Sequence, residues 1–207
     1  MNQQSLAECL FRRKWYNPFP KFKYTERPDT AAACLLVGKV VILVDNSPSA
    51  MILPTSIFDI IEEANDYYFP TLTNVYLKFA RGLITLMTVF LTPVFLLFMQ
   101  NIQWLPESFA FVAVKESVHV PLIFQLLMLE IAIVMGEFSV QSGWFNSEVM
   151  LYMAFVAVAN YTQPNFELGY ALKFMRLELL VLTAAFNWIG FIIGCAIIIY
   201  SICFNKT

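Results

Sequence analysis

From Gly82 to Pro106 the chain carries no charged residue, and from Leu179 to Asn205 it again carries none. A helix needs about 20 apolar residues to cross about 30 Å of hydrocarbon, so either window is long enough. Backbone surrounded by lipid must satisfy its own hydrogen bonds, which favours helices over open sheet. In the first window the apolar part is Leu83 to Met99, where Pro93 is expected to kink the helix without preventing insertion. Composition agrees: the 207 residues are 59% hydrophobic and 14% charged, against about a quarter charged in a soluble domain. The expected fold is mainly α, a polytopic helical membrane protein with a small N-terminal cytoplasmic β-hairpin segment.

Two weaker segments lie between the windows. One, 120–141, is long enough but contains Glu130 and Glu137. The other, 148–162, follows a plausible cap at Ser147 but offers only about 21 Å of helix at 1.5 Å per residue. They are expected either to dip in and return as a hairpin or to form a tilted, protein-buried pair. The transmembrane domain is thus read as 82–205, with spans near 82–100, 120–141, 148–162 and 179–204. If all four cross, an inside N-terminus puts Lys173 and Arg176 outside, against the positive-inside rule.

Ahead of the membrane domain, residues 1–30 form a basic, aromatic arm, "FRRKWYNPFPKFKYTERPD", in which three prolines argue against a continuous helix. Residues 31–81 follow. Val40 to Val44 is a β-branched run, "DNSPS" supplies turn chemistry, and Ala50 to Leu53 returns as a second strand. So apolar a hairpin needs cover on both faces. Ile57, Ile60 and Ile61 then repeat at helical spacing opposite Asp59, Glu62 and Asp66, as an amphipathic juxtamembrane helix would. Nine of the 13 Lys and Arg lie at or before Arg81, which places the N-terminus in the cytoplasm. The first thirty residues are polar and basic, so no signal peptide is expected. The basic arm suits the anionic headgroups of a lipid bilayer better than nucleic acid.

Glu130 is the sharpest functional candidate, because a carboxylate inside an apolar span is costly. Glu137 and Gln141 fall within about 20° of it on a helical wheel. That stripe faces a pore or proton path, or Glu130 pairs with a buried partner, or the segment lies near the interface with Glu137 in water. Gly190 and Gly194 form a GxxxG, a candidate helix-packing site. "YTERPD", with Tyr24, Glu26, Arg27, Pro28 and Asp29, is a charged knot stiffened by proline. The one histidine and the dispersed cysteines offer no metal set, and no catalytic motif appears, so neither enzyme nor cofactor is expected.

The stretch "NPFPKFKYTERPDTAAACLLVGKVVILVDNSPSAMILPT", Asn17 to Thr55, resembles the spore germination protein A family of GerA/SpoVAF-like membrane subunits. The later "LYMAFVAVANYTQPNFELGYALKFMRL" is similar to the same family's Pro-x-Tyr-Glu-Leu element, with Phe166 in place of the tyrosine. The resemblance implies a multi-pass protein of the inner spore membrane. It further implies a germinant-receptor-like subunit in an oligomeric, ion-conducting complex with copies of itself and other germination membrane subunits. It makes YTERPD the joint between cytoplasmic and membrane domains. Measured against that family, the chain has few residues before NPFP, lacks a proline-rich tail, and is short by roughly one span between Glu130 and "IVMGEFSVQSGWF". A non-conducting structural or regulatory remnant of the family is the alternative.

Overall fold

The structure, a computed structural model, describes residues 3–10, 17–62, 66, 68–105, 113–114, 120–131, 145–163 and 165–203. The helices are α1 (Gln3–Leu10), α2 (Pro28–Leu36), α3 (Ile57–Ile61), α4 (Thr71–Gln100), α5 (Leu122–Ile131), α6 (Ser147–Tyr161) and α7 (Phe166–Cys203), and the strands are β1 (Lys23–Thr25), β2 (Val40–Ile42) and β3 (Ala50–Leu53). They fall into two units, one comprising Met1–Gly82, Pro164–Ala171 and Ile199–Thr207, the other Leu83–Gln163 and Leu172–Ile198.

The first unit is built on a small antiparallel sheet. The hairpin expected from sequence forms, with Val40 opposite Leu53 and Ile42 opposite Met51. A third strand, β1, pairs along the other side of β3, giving the order β1-β3-β2. Ala7 of α1 packs with Phe22 and Met51 on one face. Ile52 points to the opposite face and is equally buried, so the central strand β3 is covered on both faces. Helix α2 packs against all three strands. Pro28 opens it at the position where a missing N–H costs nothing. Gly38, at φ 88°, closes it, with its N–H donating to the Leu35 carbonyl and that of Lys39 to the Cys34 carbonyl.

Ser56 and Asp59 cap α3 reciprocally, and Ile60 and Ile61 are buried as expected. The helix is only five residues long, because Glu62 returns to extended backbone. Its acidic side is neutralised in place: Lys39 meets Asp59 at 2.6 Å, Lys78 meets Glu62 at 2.6 Å, and Arg81 meets Asp66 at 2.5 Å. Lys23 donates to the carbonyls of Asp59 and Glu62 at 2.7 and 2.8 Å, covering the C-terminal end of α3.

The second unit is helical around Phe95, Leu96, Leu126, Val149, Met153 and Leu180. Contacts at two levels set the direction of α6 against α4: Phe95 packs on Tyr152, and Gln163 bonds Thr85. Gln125 near the start of α5 bonds Asn146 at the start of α6, while Glu130 reaches the level of Thr88. Thus α5 and α6 both run opposite to α4 and parallel to each other. They are not the antiparallel hairpin offered as one reading of the sequence.

The larger correction concerns the last apolar window, expected as a single span over 179–204. Asn187 breaks α7 with φ 55° and ψ −134°, and the chain folds back. A β-carbon on Gly194 would stand 2.5 Å from Leu179 Cδ1, and one on Gly190 would overlap the Leu182 carbonyl. Residues eight and fifteen apart in a straight helix lie about 12 and 22 Å apart, so α7 is a helical hairpin with arms 166–186 and 188–203. By length and composition, α4 is apolar enough to cross a membrane, and so is α7 when it is taken through its break as one stretch, Glu167–Cys203.

Candidate functional site

The second unit holds a buried charge pair where apolar packing would be expected. Arg176, on the first arm of α7, donates from Nε to Glu130 Oε2 at 2.8 Å and from Nη2 to Oε1 at 2.5 Å. Its third edge is also used, Nη1 donating to the Thr88 carbonyl at 3.0 Å. The two side chains are 5% and 3% exposed. Two parallel N–H···O bonds are the strongest geometry open to such a pair. Desolvating both ions offsets most of the Coulombic gain, so the pair fixes which helices meet more than it adds net stability.

Pro93, within α4, has no N–H to give the Val89 carbonyl, next to the Thr88 carbonyl that accepts from Arg176. Polar residues line both helices at this seam. On α4, Thr85, Thr88 and Thr92 recur at i, i+3 and i+7; on α7, Arg176, Thr183 and Asn187 recur at i, i+7 and i+11. The hydroxyls of Thr88 and Thr183 donate back to the carbonyls of Ile84 and Leu179. At the hairpin tip the amides of Asn101 and Asn187 bond each other in both directions. A second amide clasp joins Gln125 to Asn146 through a side-chain and a backbone bond, both 2.9 Å.

Glu130 is therefore placed against Arg176, the buried-partner reading among those open from sequence. Glu137 and Gln141 lie outside the described residues. Gly190 and Gly194 pack within the chain, against the first arm of α7. Arg176 stood out in the sequence only as a cation on the wrong side of the positive-inside rule, and its partner lies 46 residues away, where no spacing rule reaches it. Gln125 was not singled out in the sequence, where it is one polar residue in an apolar run, five positions ahead of Glu130.

In the first unit the YTERPD residues are spread along the β1–α2 connection. Tyr24 lies in β1 opposite Met51, Pro28 begins α2, and Glu26 and Arg27 are exposed between them. Asp29 accepts from the Thr30 N–H at 2.8 Å and from the Tyr68 hydroxyl. Those bonds hold its carboxyl below the usual range and raise the Tyr68 phenol. Burial raises Asp59, but the bonds from Lys39 and Ser56 outweigh it and leave the carboxyl lowered. Burial lowers the Lys23 ammonium, only partly opposed by nearby acidic groups.

The model of the Bacillus/Clostridium GerA spore germination protein family matches residues 1–133 and 131–207, which together take in the whole chain. The chain belongs to the GerA family. It is similar to Stage V sporulation protein AF of Bacillus subtilis, 31% identical over 231 residues covering 100% of this chain and 47% of the relative. It is also similar to Spore germination protein A1 of Bacillus subtilis, 26% identical over 196 residues, and to GerLA of Bacillus cereus, 26% identical over 214. These matches cover 82% and 90% of this chain and 41% and 44% of the relatives. This GerA chain thus spans less than half the length of those relatives. No solved structure matches it.

The GerA match breaks at 131–133, at the end of α5. The Stage V relative uses 231 aligned positions against 207 here, a difference of about 24.

Proposed function

We propose that this chain is a multi-pass membrane subunit that acts in bacterial spore germination as part of an oligomeric, ion-conducting complex. The relatives' names give spore germination and sporulation, and the long apolar stretches of α4 and α7 support a membrane location. The inner spore membrane, a cytoplasmic N-terminus, and copies of itself and other germination subunits as partners complete the reading. The observation that carries conduction is the Arg176–Glu130 pair. Ionised groups inside a membrane bundle mark ion paths or the elements that control them. Held closed by Glu130 and the Thr88 carbonyl, Arg176 ties α4, α5 and α7 into one packing. A shift between closed and open packings then requires this pair to part or move as a unit.

The testing measurement is ion flux from vesicles reconstituted with the full chain. The reading expects a flux above protein-free vesicles that Glu130→Gln changes. No flux from correctly inserted protein, alone or with other germination subunits, overturns it. A second reading, a non-conducting structural or regulatory subunit, draws on the chain's spanning less than half the length of the relatives it matches. It expects assembly with partner subunits to depend on Glu130 while flux is absent.

A further inference from the structure

The segment Lys39 to Asp45 reads KVVILVD, five apolar residues bounded by a cation and an anion. Within it β2 is an outer strand: the order β1-β3-β2 gives it no neighbour on its far side among the described residues. The central strand β3 is buried on both faces, whereas the outer strand β2 and the chain just ahead of it leave apolar side chains exposed. Val40 is 53% exposed and Leu43 80%, and Leu36 and Val37, just ahead in the chain, are 89% and 76% exposed. Proteins normally blunt such an edge with charge, proline or a covering element, because its unpaired N–H and C=O groups template another strand.

We propose that β2 is the edge through which two copies of this chain pair, antiparallel, about a two-fold axis at Ile42. A two-fold contact must be self-complementary, and this segment is. With Ile42 on the axis, Val41 faces Leu43 of the second copy, Val40 faces Val44, and Lys39 faces Asp45. Every inner pair is apolar and the one charged pair is of opposite sign. Moving the axis to Val41 or Leu43 sets both charges against uncharged residues. Lys39 already holds Asp59 at 2.6 Å, but an ammonium has three donors and serves a second carboxylate without releasing the first. Asp45 is exposed. The surface goes beyond any conducting role and stands whether or not the chain conducts.

Cross-linking of the full chain in membranes tests the register, with the exposed Cys9 and Cys203 replaced by serine. Ile42→Cys on the axis is expected to give a covalent homodimer, and Leu43→Cys, one position off, several-fold less. Ile42 is half-buried, so a second pair guards against misfolding: Val40→Cys chains mixed with Val44→Cys chains should cross-link more than either alone. Asp45→Lys, which sets lysine against Lys39, should reduce the Ile42→Cys product several-fold. No product from either arrangement, or equal product at 42 and 43, overturns the proposal. Product only with a longer GerA-family protein present also overturns it and assigns the edge to that protein's strand.

Discussion

Gly194 lies against Leu179, fifteen residues earlier in the same apolar run, so closely that an added β-carbon would stand 2.5 Å from its Cδ1. With Gly190 against Leu182, this contact turns one apparent span into two antiparallel arms. The first arm, 21 residues, is about 31 Å long and the second, 16 residues, about 24 Å. The charge conflict seen in the sequence then has a different footing. Arg176 lies within the first arm, bonded to Glu130, rather than in an external loop.

Glycine is required at the arm seam of α7 and not at Gly82 on α4. Gly190→Ala should destabilise the protein by about 1–3 kcal/mol through overpacking, as read from thermal unfolding in detergent. Gly82→Ala, with nothing within 4 Å of the added carbon, should be neutral or stabilise by up to about 1 kcal/mol from helix propensity.

Glu130→Ala leaves a guanidinium buried without its carboxylate and should cost about 3–5 kcal/mol. The paired replacement Glu130→Met with Arg176→Leu removes both charges at similar bulk and should recover most of that loss. A double replacement as unstable as the single would show that the packing, not the unpaired charge, carries the cost.

Asn187 holds a left-handed φ of 55° and two bonds to Asn101. Asn187→Ala should cost about 1–3 kcal/mol, from backbone strain and lost bonding together. The double change with Asn101→Ala should fall short of the sum of the single effects, since both remove the same bonds.

The first unit should lose stability in acid. Asp59 has its carboxyl lowered from 3.8. A carboxylate of depressed pKa stabilises the fold above its unfolded value, and that stability is lost as pH falls through the folded value. Thermal midpoints measured from pH 5 downward should therefore fall, and Asp59→Asn should flatten the fall. Asp29 is also lowered but fully exposed, so solvent screening makes its share small.

What the sequence made legible follows from how local each signal is. The β2–β3 hairpin rests on a β-branched run and a turn within about fifteen residues, and it forms. Strand β1 was hidden because "KFKYT" mixes charges among its apolar residues, and an edge strand tolerates them. Helix α2 was hidden because Pro28 reads as a breaker, although at the first helical position it favours a start. The α7 turn has no proline, charge or turn dipeptide at Asn187, only an asparagine that tolerates left-handed backbone. Glu130 and Arg176 each stood out alone, but their meeting depends on tertiary packing between helices distant in sequence.

Sidedness of labelling tests the account most directly. Single cysteines at Asn165 and Trp188, and the native Cys203, would be probed one at a time in sealed membrane vesicles with an impermeant thiol reagent. Two crossing arms predict that 165 and 203 label from the same side and 188 from the opposite side. Labelling of 165 and 203 from opposite sides would mean that α7 crosses once and does not fold back, and labelling of all three from one side would mean that it does not cross.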